Sequence, residues 1–183
     1  MKRISLLVLG ITAVSAVLAF AQAPANDDAT IVSALPARMR DGAGIVKWKP
    51  DFTYDTIKKS DNGLVCYDRS GFPLQAAFSI ECTSMGNLPR EAQNLKAEAT
   101  GDKAKSEGML NAEEKDGTRV KPEYGSVWYH LAGTNKDQAR PHMTIAMPGA
   151  TAASTGLPDK PTNSGVWVMN AGTTTAHLMT PGE

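Results

Sequence analysis

The stretch from Gly125 to Gly149 reads Gly-Ser-Val-Trp-Tyr-His-Leu-Ala-Gly, then a polar segment, then Pro-His-Met-Thr-Ile-Ala-Met-Pro-Gly. Aromatic and β-branched runs bounded by Gly and Pro are typical of strands, so this stretch predicts a β-hairpin. Residues of like parity share a face of a strand. Trp128 and His130 are therefore expected on one face of the first strand. His142 and Thr144 are expected together on one face of the second.

A second version of this pattern follows. Val127-Trp128-x-x-x-Ala132-Gly133 recurs as Val166-Trp167-x-x-x-Ala171-Gly172, and His142-Met143-Thr144 has an echo in His177-Leu178-Met179-Thr180. Chance is the alternative, because strands and turns use few residue types. A true duplication predicts that the two tryptophans occupy equivalent places on neighbouring strands and face the same side of one sheet. His130 should then match Met169.

The first residues have the order of a secretory signal peptide. Met1-Lys2-Arg3 is basic, Ile4 to Phe20 is apolar, and small residues follow. Cleavage fits after Ala21 or after Ala23. A membrane anchor is the weaker alternative, because the apolar run is short for a span. We predict a signal peptide over residues 1–23 and one domain over residues 24–183, in the periplasm or secreted.

Composition restricts the class of partner. Without the two basic residues of the predicted leader, the chain has 17 Lys and Arg against 19 Asp and Glu, a net charge of −2. A near-neutral chain with no basic block lacks the electrostatic footprint of a nucleic-acid-binding protein. We therefore expect no nucleic-acid partner and no membrane span after the leader, and the partner itself is left open.

The two cysteines, Cys66 and Cys82, follow the predicted leader. An even cysteine count in an exported protein predicts a disulfide. A redox or metal pair is the alternative, and it normally needs C-x-x-C spacing or nearby His ligands. Closing a loop of this length should stabilise the fold by roughly 3 kcal/mol in the chain-entropy model.

Three further segments complete the secondary-structure prediction. Asn26-Asp27-Asp28 is expected to cap a short helix that ends at Pro36. Asn62-Gly63 predicts a tight hairpin between Tyr54–Lys58 and the strand that carries Cys66. Leu88 to Ala112 is rich in Ala, Lys and Glu and predicts one longer helix, weakened at Gly101 and Gly108. This helix is expected to pack on a sheet, with partner binding as the alternative.

Together these segments predict an α+β fold. An antiparallel sheet of at least two hairpins carries the short N-terminal helix and the longer helix.

Four motifs also support a family resemblance. They are Asn62-Gly63-Leu64-Val65-Cys66, Trp128 to Gly133, Pro141-His142-Met143, and the ending from Met169 to Met179. Their order resembles that of an uncharacterised family of exported bacterial proteins, which share an Asn-Gly-x-x-Cys hairpin and a C-terminal Ala-Gly…His-x-Met stretch. The resemblance covers most of the chain after the leader. It implies export and one small domain, and it implies no activity.

Signatures of several catalytic classes are missing from the sequence. The chain contains no G-x-S-x-G, HExxH, phosphate-cradling Gly-rich loop or dinucleotide fingerprint. Ser70, in Asp-Arg-Ser-Gly, is the only serine in a suggestive turn, and such residues are usually turn formers. We therefore name no catalytic residue and favour a non-catalytic role. A hydrolase is a third hypothesis, favoured if a carboxylate or His cluster lines a pocket.

Copper binding is the second hypothesis. Imidazoles and thioethers in an exported protein suit copper, although methionines also fill sheet cores. The candidate ligands are His130, His142, His177, Met169 and Met179. The first hypothesis remains an exported, non-catalytic binding or envelope-associated protein without a cofactor.

Overall fold

Eight strands form one sheet in the computed structural model, which describes residues 26–180. The predicted signal peptide lies outside the described residues. The sheet order is β2-β1-β3-β4-β5-β6-β8-β7, and every neighbouring pair is antiparallel except β1 with β3. The strands are β1 (Gly44–Trp48), β2 (Tyr54–Lys58), β3 (Leu64–Asp68), β4 (Phe78–Ser84), β5 (Val127–Gly133), β6 (Arg140–Ala146), β7 (Trp167–Met169) and β8 (His177–Met179).

Five α-helices accompany the sheet in the described residues. They are α1 (Asp28–Ile31), α2 (Ala37–Arg40), α3 (Leu88–Glu98), α4 (Lys103–Asp116) and α5 (Ala152–Thr155). The predicted mixture of helices with a mostly antiparallel sheet is therefore confirmed at the level of α+β class. None of the described helices has the length and apolar content to cross a membrane.

Strand β4 lies at the centre of the core. Each residue from Phe78 to Thr83 is buried, because both faces of this strand are covered. One face packs on the N-terminal helices through Ile31, Leu35, Ile45 and the two cysteines. On the opposite face of the sheet, Leu88 at the start of α3 packs on Val46, Val65 and Tyr67 of β1 and β3. We call this opposite face the α3 face of the sheet.

The short N-terminal helix begins where the sequence predicts. The Asp27 carboxylate accepts a hydrogen bond from the Thr30 amide at 2.7 Å, which satisfies one of the unpaired N–H groups of the first turn. A 3₁₀ turn over Val32–Ala34 follows α1, and Pro36 separates it from α2. The proline ends the first helical segment, as expected from its missing N–H.

Cys66 and Cys82 form a disulfide across β3 and β4, where the two residues face each other directly. The predicted pairing is confirmed. The bridge closes a sequence separation of 16 residues and lies in the core that packs on α1. It joins two central strands, and β4 then leads into α3 through a 3₁₀ turn over Met85–Asn87.

The predicted Asn62-Gly63 hairpin is wrong. Strand β1 lies between β2 and β3, so Asn62 and Gly63 belong to a connection that passes β1. The hairpin joins β1 to β2 instead, with Trp48 paired to Tyr54. Gly63 has a φ of 78° but Asn62 does not have a positive φ, so the pair does not form the type I′ turn that needs both. The Asn62 side chain also donates to the Met39 carbonyl, which ties this connection to α2.

The predicted single helix over Leu88 to Ala112 is also wrong in extent. The segment forms two helices, α3 and α4, that contact each other. Gly101 lies between them with a φ of 66°, and Asp102 caps α4 by accepting from the Lys105 amide. Gly108 lies inside α4 without interrupting it. Left-handed backbone at a glycine ends helices, because no Cβ is present to clash.

The doubled sequence forms two antiparallel hairpins, β5–β6 and β7–β8. Trp128 pairs with Thr144 and Trp167 pairs with Met179, so each tryptophan lies opposite the residue two places after a histidine. His130 and Met169 occupy matching positions, as predicted. The ladder register also places both tryptophans on the α3 face of the sheet.

The expectation that the tryptophans lie on neighbouring strands is wrong. Strands β6 and β8 lie between β5 and β7, because the second hairpin joins the sheet through its β8 strand. This arrangement brings β6, which carries His142, beside β8, which carries His177. Their register pairs Ala146 with His177.

Candidate functional site

A cleft of about 630 Å³ lies between the α3 face of the sheet and helices α3 and α4. Side chains of both charges line it, together with a few apolar groups. The sheet contributes Glu81, Trp128, His130, Thr144, Ala146 and His177, the β7–β8 connection contributes Asn170, Thr173 and Thr175, and the helices contribute Arg90, Asn94, Glu98, Glu107 and Glu114. This volume is in the usual range for small-molecule sites.

A buried ion cluster around Arg69 forms one wall of the cleft. Arg69 follows β3, and its Nη1 lies 2.7 Å from Glu81 Oε2 on β4 and 3.3 Å from Glu91 Oε1 on α3. Its Nη2 pairs with Glu98, also on α3. The guanidinium thus joins the sheet to the helix. Buried charges of this kind persist only when they are paired and hydrogen-bonded.

Glu81 is the carboxylate at the centre of this cluster and is 1% exposed. Oε1 accepts from the Tyr67 hydroxyl at 2.5 Å, while Oε2 accepts from Arg69 and lies 3.0 Å from His130 Nδ1. Burial alone would raise its pKa, but Arg69, His130 and the Tyr67 hydroxyl hold the pKa of Glu81 well below its usual range. Glu81 is therefore an anion at neutral pH. Burial beside this anion raises the pKa of Tyr67.

Glu91 is the carboxyl group of the cluster that is least well paired. It is fully buried, its Oε1 accepts no hydrogen bond within the described residues, and its Oε2 accepts from Asn94 Nδ2 at 2.8 Å. Burial and the nearby Glu81 charge raise the pKa of Glu91 to about 8, against the opposing attraction of Arg69. A proton on Glu91 thus reduces the charge repulsion among the three carboxyl groups around the one guanidinium.

His130 enters the cleft with its orientation fixed by Glu81. A carboxylate is acceptor-only, so Nδ1 of His130 carries the hydrogen and Nε2 is the second ring nitrogen available to the cleft. His177 has a similar arrangement, because its Nδ1 donates to the Thr175 carbonyl at 2.7 Å. Burial lowers the pKa of His177, which keeps its ring neutral at pH 7. A carboxylate or carbonyl behind an imidazole orients both general bases and metal ligands.

Two further arginines, Arg90 and Arg119, line the cleft toward α4. Arg119 Nη1 donates to Gln93 Oε1 at 3.1 Å and lies 3.6 Å from a Glu113 oxygen, and its Nη2 donates to Asn94. Burial lowers its pKa. These contacts hold Arg119 against α3 and α4, on the helix side of the cleft.

Four of the five predicted metal ligands fall into two cross-strand pairs on the α3 face. His130 pairs with His142, with ring centroids 5.9 Å apart, and Met169 pairs with His177. The fifth, Met179, lies two residues after His177 on β8, so it shares that face.

The strand register keeps these two pairs apart. Ala146, the partner of His177, lies four residues along β6 from His142, which is about 14 Å at the usual rise of a strand. Among residues 26–180, no three or more His, Cys, Asp or Glu side chains are placed to hold one metal ion. The register thus favours two separate pairs over one site built from all the candidates.

Ser70 has a structural role in its turn. Its amide donates to the Asp68 carboxylate at 2.8 Å, and its hydroxyl accepts from the Ser79 amide at 3.0 Å. These bonds fasten the turn after β3 to the start of β4. They account for the Asp-Arg-Ser-Gly sequence without a catalytic function.

The residues that sequence reasoning missed are Arg69, Glu81, Arg90 and Glu91. One signal was present: Glu81 is the one charged residue of the strand Phe78–Ser84, between the apolar Ile80 and Cys82. A charged residue inside a buried strand requires a buried partner, so it marks a polar cluster. The partners themselves follow only from the packing of α3 on the sheet.

Comparison with known proteins gives no match for this chain. No protein-family model matches it, and neither a curated protein nor a solved structure is detectably similar to it.

The protonated state of Glu91 predicts a specific dependence of stability on pH. Between the ordinary glutamate pKa and about 8, the folded state binds a proton at Glu91 that the unfolded state has lost. The free energy of unfolding should therefore fall as pH rises through this window. Glu91→Gln removes the titrating group, so the variant should not show this loss of stability. From pH 5 to pH 8.5 the variant should therefore gain stability relative to the wild type.

Urea denaturation at a series of pH values measures this difference. Glu107→Gln, at an exposed position of α4, is the matched control and should parallel the wild type. A Glu91→Gln variant whose stability also parallels the wild type across this range would show that Glu91 is ionised in the folded protein.

Proposed function

We propose that this chain is an exported, non-catalytic binding protein that holds a small polar ligand in the cleft between the sheet and helices α3 and α4. The observation that carries the proposal is the buried Arg69 cluster that forms one wall of the cleft. Arg69, Glu81 and Glu98 are fixed by ion pairs from two layers of the fold. A wall fixed in this way lowers the conformational cost of binding.

Export is a proposal supported by two features. The first residues have the order of basic, apolar and small residues typical of a leader. The Cys66–Cys82 bridge suits an oxidising compartment such as the periplasm. Residence in the periplasm or outside the cell, and membership of the exported family that the chain resembles, rest on these features and on the shared motifs.

Binding is favoured over hydrolysis because of the surroundings of the candidate groups. A Glu81–His130 pair facing a cleft is one feature of hydrolases, which also need a nucleophile beside the imidazole. The hydroxyl of Ser70, the one serine that the sequence singles out, accepts from a backbone amide instead. Glu81 itself is occupied by Tyr67 and Arg69.

The test is a thermal-shift screen of small organic acids, amines, sugars and nucleosides against the purified protein. A ligand at about ten times its Kd adds about 1.4 kcal/mol to the free energy of unfolding, which raises Tm by about 3–6 °C for a domain of this size. Thr144 lines the cleft, so Thr144→Phe should fill part of it and reduce the shift.

Met143→Phe is the matched control, because Met143 is the neighbouring residue on β6 and lies on the opposite face of the sheet. It should leave the ligand-induced shift unchanged. The proposal is contradicted if no compound stabilises the wild type, or if Thr144→Phe responds to each active compound as the wild type does.

Copper binding is the second candidate function, and the orientation of the histidines favours it. Nδ1 of His130 faces a carboxylate and Nδ1 of His177 faces a carbonyl, which is the usual arrangement behind a metal-ligating imidazole. Met169 lies directly across from His177 and adds a thioether, a soft ligand that suits Cu(I).

Titration of the metal-free protein with Cu(I) and Cu(II) tests this candidate. If copper is bound at the His177–Met169 pair, Met169→Leu should weaken Cu(I) binding by about tenfold or more, because a thioether ligand is lost. Met143→Leu removes a thioether from the opposite face and should leave binding unchanged. Equal affinity in all three proteins, or no copper bound at a ratio of one per chain, would contradict the candidate.

A further inference from the structure

Arg90 lies in the first turn of α3 and reaches the connection between β7 and β8. Nη1 donates to the Val120 carbonyl and to the Thr174 hydroxyl, and Nη2 donates to the Thr175 hydroxyl at 2.7 Å. The side chain therefore crosses one end of the cleft, from the helix side to the sheet side. All three acceptors are neutral groups.

The charge of Arg90 is poorly balanced. The residue is 4% exposed, and no carboxylate oxygen of residues 26–180 lies within 4.0 Å of its guanidinium. Arg69 and Arg119 each have at least one such partner. A nearly buried cation without a direct counter-ion is unfavourable, since neutral acceptors replace only part of its hydration.

The acidic side chain that bonds to Thr174 is already engaged. Glu114 accepts from the amide and the hydroxyl of Thr174, so Arg90 meets this carboxylate only through the threonine hydroxyl. Burial and the neighbouring Arg119 lower the pKa of Arg90 to about 10, which leaves the group charged at neutral pH. A direct counter-ion for Arg90 is therefore absent from the described residues, and the guanidinium lies beside the open cleft.

Two N–H groups of Arg90 remain for such a counter-ion. A guanidinium has five N–H donors, and the bonds to Val120, Thr174 and Thr175 use three of them. The other two are Nε–H and one Nη2–H, whose nitrogens lie on one edge of the planar group. Nε is not among the buried atoms that lack a partner, so it is accessible to solvent, and Arg90 lines the cleft.

We propose that this end of the cleft binds the carboxylate of a small organic acid through Nε and Nη2 of Arg90. Paired donors on one edge of a guanidinium match the two oxygens of a carboxylate. Glu98, Glu107 and Glu114 also line the cleft, and they repel a doubly charged phosphate more strongly than a singly charged carboxylate. The inference names the ligand class of the proposed binding function and rests on it.

The experiment follows the side-chain Nε–H resonance of Arg90 by NMR in the ¹⁵N-labelled wild-type protein. Sodium benzoate is the carboxylate probe, inorganic phosphate is the dianion probe, and sodium chloride at equal ionic strength is the reference. Benzoate should shift the Arg90 resonance saturably, beyond the chloride reference and at lower concentration than phosphate. The resonance is assigned by through-bond correlation with the Arg90 backbone in ¹³C,¹⁵N-labelled wild-type protein, and its loss in Arg90→Gln is a check.

Arg90→Gln should raise the Kd for benzoate, measured on backbone amides of the cleft, by about tenfold or more, because a charge-assisted pair is lost. Arg38→Gln, at an exposed arginine of α2, is the matched control and should bind as the wild type does. If Arg90→Gln does not fold, the titration of the wild-type resonance still decides the question.

Three outcomes would overturn this inference: no saturable shift of the Arg90 resonance, unchanged affinity in Arg90→Gln, or tighter binding of phosphate than of benzoate. If Thr144→Phe weakens the binding of a carboxylate and Arg90→Gln does not, this inference is overturned and the proposed binding function is left intact. A cleft that binds no compound at all would contradict both proposals.

Discussion

The buried guanidinium of Arg69 is the interaction on which the arrangement of sheet and helices depends. It bonds to Glu81 on the central strand and to Glu98 on α3, and it lies 3.3 Å from Glu91, also on α3. These side chains are distant in sequence, and none is stable alone in the interior. Because breaking a buried ion cluster leaves uncompensated charges, the cluster favours one position of α3 on the sheet.

This constraint explains why the cleft is polar and yet built into the core. Apolar packing of Leu88 on Val46, Val65 and Tyr67 holds the first turn of α3 close to one half of the sheet. Beside this packing, the ion cluster joins α3 to β3 and β4, and Arg90 contacts the β7–β8 connection. The cleft lies between these contacts, and the charged residues that hold the helices to the sheet also line it.

The elements that the sequence predicts well are those with local signals. The β5–β6 hairpin, the Asp27 cap and the disulfide follow from strand patterning, capping chemistry and cysteine count. The doubled hairpin is also visible in the sequence, down to the matching positions of His130 and Met169. These features depend on residues near one another in the chain.

The features that were missed depend on long-range order. In Asn62-Gly63 only the glycine has the left-handed conformation, and β1 takes the place beside β3 that a hairpin would give to β2. An Asn-Gly pair predicts a turn, but it does not determine which strand pairs with the strand after that turn. Arg69 and Arg90 look like ordinary polar residues in sequence, because only packing places their partners beside them.

The most direct test of this account is the free energy of unfolding of Arg69→Met at pH 7, measured by urea denaturation beside Arg38→Met. Losing one side of a buried ion cluster should lower stability by about 3–5 kcal/mol. The exposed Arg38 should change it by no more than about 0.5 kcal/mol. If Arg69→Met is as stable as Arg38→Met, the ion cluster does not hold α3 on the sheet.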